Sequence, residues 1–564
     1  MDQSLRVQKS VRVPMRDGVG LSTNVFLPGT GTSFPVVLVR TAYNKHGIGP
    51  REWVNRGLAV VAQDCRGRYD SEGVWYPFVN EGQDGFDTLE WIGAQPWCNG
   101  SIGMFGDSYL AATQFSVAPE GSRFLKALNP RFMAGDCWKR AYYCDGAFSL
   151  GLTWSWLCFE CAAPTSSAAL LPLFDVPSLL HTLPLLTLDE RSGCVTEPAA
   201  YRDCLRHAHY DAFWEQFNFR ARLDGATPPT LLIGGWYDYY AAETFANYQR
   251  LRDTATSAAR RDIHRVLIGP WTHGISGSSG LGQLDFGSTA LAENDATLRW
   301  LDGLLHGRAP ADCQSAPIRI FVMGTNVWRD EQEWPLQRAQ STTWYLHSGG
   351  SANSRLGDGA LSRTAPTAEP PDHYTYDPDQ PVPTLGGNHS IGPYNPGLYE
   401  MAPPGPFDQG PIERRDDVLV YTSAPLAADT EVTGPVSVTL WAATSAPDTD
   451  FVARLVDVYP DGRAINITEG IIRARFRESV WGLPQPIEPG QSLPYTIDLQ
   501  ATSNVFRQGH CLRLDITSSS FPLWDRNLNT GAAPGADVAA RLAEQTILHD
   551  ECHPSAIVLP IVPS

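Results

Sequence analysis

The chain has no basic run, no apolar run of membrane-spanning length and no spaced cysteine framework, and each absence removes a class of function. Its formal charge of −18 arises from 61 acidic against 43 basic residues. Without basic runs it has nothing to set against phosphates, so nucleic acid and anionic membranes are excluded as expected partners. Nowhere do some eighteen apolar residues run together, and Met1–Ser10 holds no apolar stretch of signal-peptide length. A cytoplasmic location is expected. Eleven cysteines are scattered and odd in number, which suits thiols in a reducing compartment. Cys158 and Cys161 form a C-x-x-C in an apolar stretch with no second pair nearby; buried structural thiols are expected there, not zinc or redox chemistry. His207 and His209 differ by two positions, so they cannot share a helix or strand face as metal ligands. The cluster Asp64, Arg66, Arg68, Asp70, Asp84 and Asp87 reads as a network of Arg–carboxylate pairs bracing loops. No metal is assigned.

At 564 residues the chain exceeds the roughly 250 to 300 residues a single core supports. Short apolar runs alternate with helical patterns over 1–131: candidate strands are Val11–Pro14, Leu21–Leu27, Val36–Thr41, Leu58–Asp64, Ile102–Gly106 and Leu125–Leu128, with a crossover helix over Asp84–Gln95. Over 132–223 the strand pattern gives way to an aromatic, Leu-rich stretch, expected as a helical cap insertion. Strands resume over 224–340 at Thr230–Gly234, Val266–Ile268 and Ile318–Val322, with a helix over Ala290–Leu305. From 341 to 564, Pro- and Gly-rich connections separate short alternating strands, including a hairpin turned by Pro460-Asp-Gly462. An antiparallel jelly roll or β-sandwich is expected there.

The segment Ile102–Gly106, Asp107-Ser108-Tyr109 and Leu110–Phe115 has the strand–turn–helix context of a nucleophile elbow, in which a strained turn raises a serine hydroxyl above the sheet. Leu110 stands where the second glycine of G-x-S-x-G is usual. Ser108 alone reads as readily as a helix N-cap. Two later segments change the balance: Leu231–Asp238 and His264–His273 are apolar strands that end in glycine, aromatic residues and then a polar residue. In a parallel sheet the strand carboxyl ends face one crevice, so Ser108, Asp238 and His273 are expected to meet, in the chain order of an α/β-hydrolase. His273 would deprotonate Ser108, and Asp238 would orient the imidazole and stabilise its cation.

On these residues the chain resembles the cocaine-esterase-like family of α/β-hydrolases, related to the X-Pro dipeptidyl peptidases and α-amino-acid ester hydrolases. The resemblance spans Pro14–Val19, Asp64–Gly73, Gly103–Tyr109, Gly235–Asp238, Gly269–His273, Phe321–Gly324 and Ser518–Gly531. It implies an α/β-hydrolase fold with a helical cap and a C-terminal β jelly roll. It also implies a nucleophile at Ser108 and an oxyanion hole from the Tyr109 N–H and the Tyr43 hydroxyl, with Ala42 where the family usually has proline. The ester hydrolases place Glu and Asp soon after the catalytic aspartate to bind an ammonium; here Tyr239-Tyr240 follow Asp238, which argues against an α-amino substrate. The X-Pro peptidases carry an extra amino-terminal helical domain not found here. The expected substrate is a small ester or amide with an apolar or aromatic acyl group, bound near Trp154, Trp156, Phe159 and Trp271, with no cofactor and an acyl-enzyme intermediate. Amidase, X-Pro-type peptidase and acyltransferase chemistry stay open on the same fold, as do a non-catalytic binding role and a homodimer.

Overall fold

Apolar strands flanked by helical segments bury both faces of a sheet only when helices cover each side, and the computed structural model has that arrangement. It describes residues 5–161, 163–194, 200–224, 227–308, 316–392, 395 and 397–563. Ten strands form the first sheet: β1 (Leu5–Pro14), β2 (Gly20–Pro28), β3 (Phe34–Thr41), β4 (Ala59–Asp64), β5 (Cys98–Asp107), β6 (Leu125–Arg131), β7 (Leu231–Gly235), β8 (Arg265–Gly269), β9 (Ile318–Val322) and β10 (Val327–Glu331). Their spatial order is β1-β2-β4-β3-β5-β6-β7-β8-β9-β10. From β4 to β9 neighbours run parallel, while β1, β2 and β10 add antiparallel edges.

Alternate residues of β3 serve opposite faces, as the strand period requires. Val36 and Leu38 pack with Leu89 and Ile92 of helix α1 (Glu81–Gly93) and Phe115 of helix α2 (Tyr109–Val117). Val37 and Val39 instead pack in a second cluster with Trp300, Leu301 and Leu305. The chain goes from β3 outward to β4, then returns to β5 on the other side of β3. That reversal opens a crevice at the carboxyl ends of β3 and β5, where Tyr43 and Ser108 follow their strands.

The expected strands and crossover helix are present with shifted ends. The helix expected over Ala290–Leu305 is split into a 3-10 turn at Ser288–Leu291 and a helix, α4, at Ala296–Leu305, because Glu293-Asn-Asp295 places cap-favouring polar residues mid-span; helix α3 (Ala241–Asp253) precedes it. The insertion after β6 is built of short helices but also contains a two-residue hairpin, Tyr143–Cys144 with Ala147–Phe148. Asp145 (φ 42°) and Gly146 (φ 93°) turn it, the Asp-Gly pair that hairpin turns with two positive φ angles favour.

The carboxyl-terminal part forms an eleven-stranded sheet, antiparallel apart from the pair Ala360–Ser362 and Leu419–Ser423. Asp450–Val458 and Ala464–Arg473 pair across the expected Pro460-Asp-Gly462 turn. This β domain is stitched to the rest: Val505 N donates to Met323 O just past β9 (2.9 Å), and Trp138 Nε1 and Phe148 N of the insertion donate to Val480 O and Asp525 Oδ1 (both 2.8 Å). Among the described residues no helix is long and apolar enough to cross a membrane.

Candidate active site

β5 ends in a turn that only small residues permit. Gly106 has φ 151°, and a Cβ there would come within 2.3 Å of the Leu110 Cβ. Ser108 follows with φ 56° and ψ −121°, a strained conformation worth about 1–3 kcal/mol that persists only where surrounding structure enforces it. Its N–H is held by Arg131 O at 2.9 Å. Ser108 holds the N-cap position of α2, but its side chain makes no capping bond. Leu110, which breaks the usual motif, turns its side chain into the cavity wall.

Tyr109 opens α2, where a first-turn N–H has no intrahelical acceptor. Its ring is buried and stacked on Phe78 at 4.9 Å. Its hydroxyl donates to Glu81 Oε1 (2.7 Å) and accepts from Trp75 Nε1 and Phe78 N (3.1 and 3.2 Å). The side chain is thus fully engaged by Glu81, Trp75 and Phe78.

Tyr43 sits after β3. Its hydroxyl accepts from Trp156 Nε1 at 3.0 Å, and the residue lines the same cavity as Ser108. Burial pushes its pKa well above the ordinary phenol value, so it remains a donor. The loop does not depend on a proline at Ala42. Arg68, fully buried, donates to Ala42 O (2.9 Å), Glu160 O (2.9 Å), Cys161 O (3.2 Å) and Ala163 O, fastening the Tyr43 loop to the insertion. This corrects one member of the expected Arg–carboxylate network. Arg66 pairs with Asp84 and Asp17, and Asp87 with Arg16, as expected, whereas Asp64 and Asp70 pair with Lys45 and not with an arginine.

β7 and β8 are in register from Leu231/Arg265 to Gly235/Gly269, so their loops leave the sheet at one level. Trp236 N and Tyr237 N donate to Gly269 O and Trp271 O (both 3.0 Å), and a Cβ on Gly235 would strike Trp271 O at 2.2 Å. This close braid sets His273 Nδ1 3.0 Å from Asp238 Oδ1. Asp238 is buried and caps no helix; the residue before α3 is Tyr240. The imidazole lies edge-on to Phe132 and Tyr240, at 6.1 and 5.6 Å between ring centres.

Ser108, Tyr43 and His273 line one cavity of about 500 Å³, within the usual range for small-molecule sites. Its walls include Phe78, Phe105, Tyr142, Trp156, Met133 and Leu152. Of the four aromatic residues expected at the pocket, only Trp156 lines it. Trp154 and Phe159 pack on each other at 5.1 Å in the core, and Trp271 is buried against Phe132 and Trp328. Residues 154 and 156 point about 200° apart on a helix, and a π-helical turn at Trp156–Glu160 shifts the faces again. Two charged features reach the cavity. Asp107 and Arg131 form an ion pair, and Glu160 has its pKa raised by burial, partly offset by the Ser166 hydroxyl and Arg68. Reasoning from sequence missed Ser390, a β-domain residue whose Oγ donates to Asp238 Oδ1 at 3.0 Å. No local motif marks it.

Cys158 and Cys161 are free and buried; burial raises the Cys161 thiol to about 12, which makes it a poor nucleophile. His207 binds Asp211 at 2.6 Å and stacks on Phe213. A second serine–histidine–aspartate group lies in the β domain. Ser348 Oγ donates to Asp372 Oδ2 (2.7 Å), His549 Nε2 lies 2.9 Å from that same oxygen and 3.1 Å from Ser348 Oγ, and Glu369 flanks Nδ1 at 3.3 Å. None of these residues lines the cavity around Ser108.

Two family models match the chain: the X-Pro dipeptidyl-peptidase (S15 family) model over residues 17–275 and the X-Pro dipeptidyl-peptidase C-terminal non-catalytic domain over 313–558. Cocaine esterase of Rhodococcus sp. (strain MB1 Bresler) is 36% identical over the full length of both chains. A solved α-amino acid ester hydrolase superposes with a TM-score of 0.84 at 26% identity, covering 99% of this chain and 96% of that one. An aminopeptidase from a marine sediment Thaumarchaeota archaeon has the same fold, with a TM-score of 0.84 at 24% identity, covering 100% and 97%.

Proposed function

The chain belongs to the cocaine-esterase-like (CocE/NonD) family of serine α/β-hydrolases, and from that premise we propose that it cleaves small carboxylic esters through an acyl-enzyme on Ser108. The observation that carries the reading is the meeting of Ser108, Tyr43 and His273 at one cavity with Asp238 behind the imidazole. A serine hydroxyl is a weak nucleophile near neutral pH. His273 takes its proton as the oxygen attacks the ester carbonyl, and Asp238 stabilises the resulting imidazolium. The tetrahedral oxyanion receives the Tyr109 N–H and the Tyr43 hydroxyl, donors already in place before charge develops. Collapse expels the alcohol, protonated by His273; water, deprotonated by the same imidazole, then releases the acid.

The ring-lined, apolar wall favours an apolar or aromatic acyl group. At the position after Asp238, where related ester hydrolases bind an ammonium, Tyr239 and Tyr240 are buried. The relative named cocaine esterase supports ester over amide. The test is a panel of aryl and alkyl esters with matched amides, run beside fluorophosphonate labelling. Ester turnover with a pre-steady-state burst and labelling lost in Ser108→Ala are expected. An unlabelled wild type, or equal labelling of Ser108→Ala, would refute the assignment, and faster turnover of the amides would refute the ester preference.

A further inference from the structure

Asp238 is a buried carboxylate with few donors. Among the described residues its side chain receives two, both at Oδ1: His273 Nδ1 and Ser390 Oγ, each at 3.0 Å. Oδ2 receives none. Ser390 arrives from the β domain, 152 positions along the chain. A serine hydroxyl has one proton to give, and here it goes to Asp238 Oδ1, with His273 Nδ1 at the same carboxylate oxygen.

We propose that Ser390 is a positioning residue for catalysis, so that the β domain completes the machinery carried by the parallel sheet. The proposal rests on the reading of Ser108, Asp238 and His273 given above. A carboxylate's last torsion is broad and two-fold, so one ring N–H does not hold it in a single orientation. The Ser390 donor fixes Oδ1 toward Nδ1. It also takes up part of the carboxylate's charge. Without it, more of that charge falls on the imidazole and favours the imidazolium, which cannot act as base.

The other groups facing this carboxylate and imidazole are Tyr239, Tyr240 and His389 and, across the cavity, Tyr43, Glu160 and the Asp107–Arg131 pair. His389 stays neutral, burial holding its pKa down to about 3. Burial also keeps the three tyrosines protonated. Glu160 is left in place by substitutions at 390, so a difference between variants does not come from it.

The experiment measures kcat and kcat/KM against pH for an aryl ester, using the full chain and its Ser390→Ala, Ser390→Thr, Ser390→Cys and Ser108→Ala variants. Ser390→Ala is expected to lose about 10- to 100-fold in kcat, the worth of a hydrogen bond to a charged group. Its acid limb should move up by about half to one pH unit. Ser390→Thr keeps the hydroxyl and restores both; Ser390→Cys, with a weaker donor, shifts the limb the same way by less. A purely structural defect lowers kcat but leaves the limb in place. An unmoved limb in Ser390→Ala, or a threonine variant equal to alanine, overturns the proposal. Should Ser390→Ala fail to fold, Ser390→Cys decides, and an unmoved limb there overturns it. Activity retained in Ser108→Ala would instead bring down the underlying triad. An inactive Ser108→Ala beside an unmoved Ser390→Ala limb sinks the positioning role alone.

Discussion

Two serine–histidine–aspartate groups occupy the two halves of the chain, and they differ in how the imidazole is used. At Asp238 the carboxylate takes Nδ1, and the ring lines the cavity that Ser108 also lines. At Asp372 the serine and carboxylate crowd a single nitrogen: both lie within 3.1 Å of His549 Nε2, and Ser348 gives its proton straight to Asp372. Glu369 occupies the other nitrogen's side, and Tyr421 adds a further donor to Asp372 at 2.8 Å. Such a ring sits between two carboxylates and away from the cavity around Ser108. Residue identity is therefore a poor guide to catalysis; what matters is which ring nitrogen each partner holds and whether space is left for a substrate. The first group is read as a catalyst, the second as a polar staple.

Removing the serines tests that contrast most severely. Ser108→Ala should cost about 10⁶-fold in kcat and abolish fluorophosphonate labelling, while Ser348→Ala should turn over and label as the wild type does and lose about 1 kcal/mol of stability. The carboxylates come next. Asp238→Asn should lose about 10⁴-fold in kcat by favouring the wrong imidazole tautomer. Asp372→Asn should leave kcat alone but cost about 3 kcal/mol in denaturant unfolding, because the buried Ser348, Tyr421 and His549 groups lose the charged oxygen they share. Loss of turnover in either β-domain variant without loss of folded protein would erase the distinction.

A smaller effect belongs to the tyrosines. Tyr43→Phe removes one oxyanion donor and should reduce kcat about 10² to 10³-fold; Tyr421→Phe should change only stability. The smallest effect is a pH dependence of folding. Burial alone would lower the His549 pKa, but the hydrogen bond to Asp372 and the charges of Asp372 and Glu369 outweigh it, and the net shift is upward. A raised folded pKa gives stability that is complete below the unfolded imidazole value of about 6.5 and lost as pH climbs through the folded value. The melting-temperature gap between wild type and His549→Gln should accordingly be widest near pH 6 and narrow toward pH 9. A gap that widens with pH would reverse the sign assigned to the staple.

Much of the hydrolase sheet was legible because buried parallel strands are continuous apolar runs, and the polar residues that end β7 and β8 stand just beyond them. The strained elbow at Ser108 could also be found from its neighbours despite Leu110. The pocket could not. Trp154, Trp156 and Phe159 lie within one aromatic stretch, and which of them meets solvent depends on a π-helical turn that no hydrophobic period announces. Ser390 was invisible for a different reason. It contacts Asp238 only because the β domain packs on the parallel sheet, and a lone serine in a Pro- and Gly-rich segment carries no spacing to read. The Asp145-Gly146 turn, by contrast, was a legible signal overshadowed by its helical surroundings.

Arg68 constrains how this scaffold can diversify. Three of its four acceptor carbonyls belong to the insertion and the fourth to the residue before Tyr43, so the segment that carries Trp156 and the loop that carries the proposed oxyanion donor share one buried cation. An exchange of caps between relatives, made to change substrate range, would strand that guanidinium unless the graft presents carbonyls at the same points. Selectivity and rate are therefore inherited together here, and cap libraries should keep Glu160–Ala163 while varying what lies around Leu152 and Tyr142.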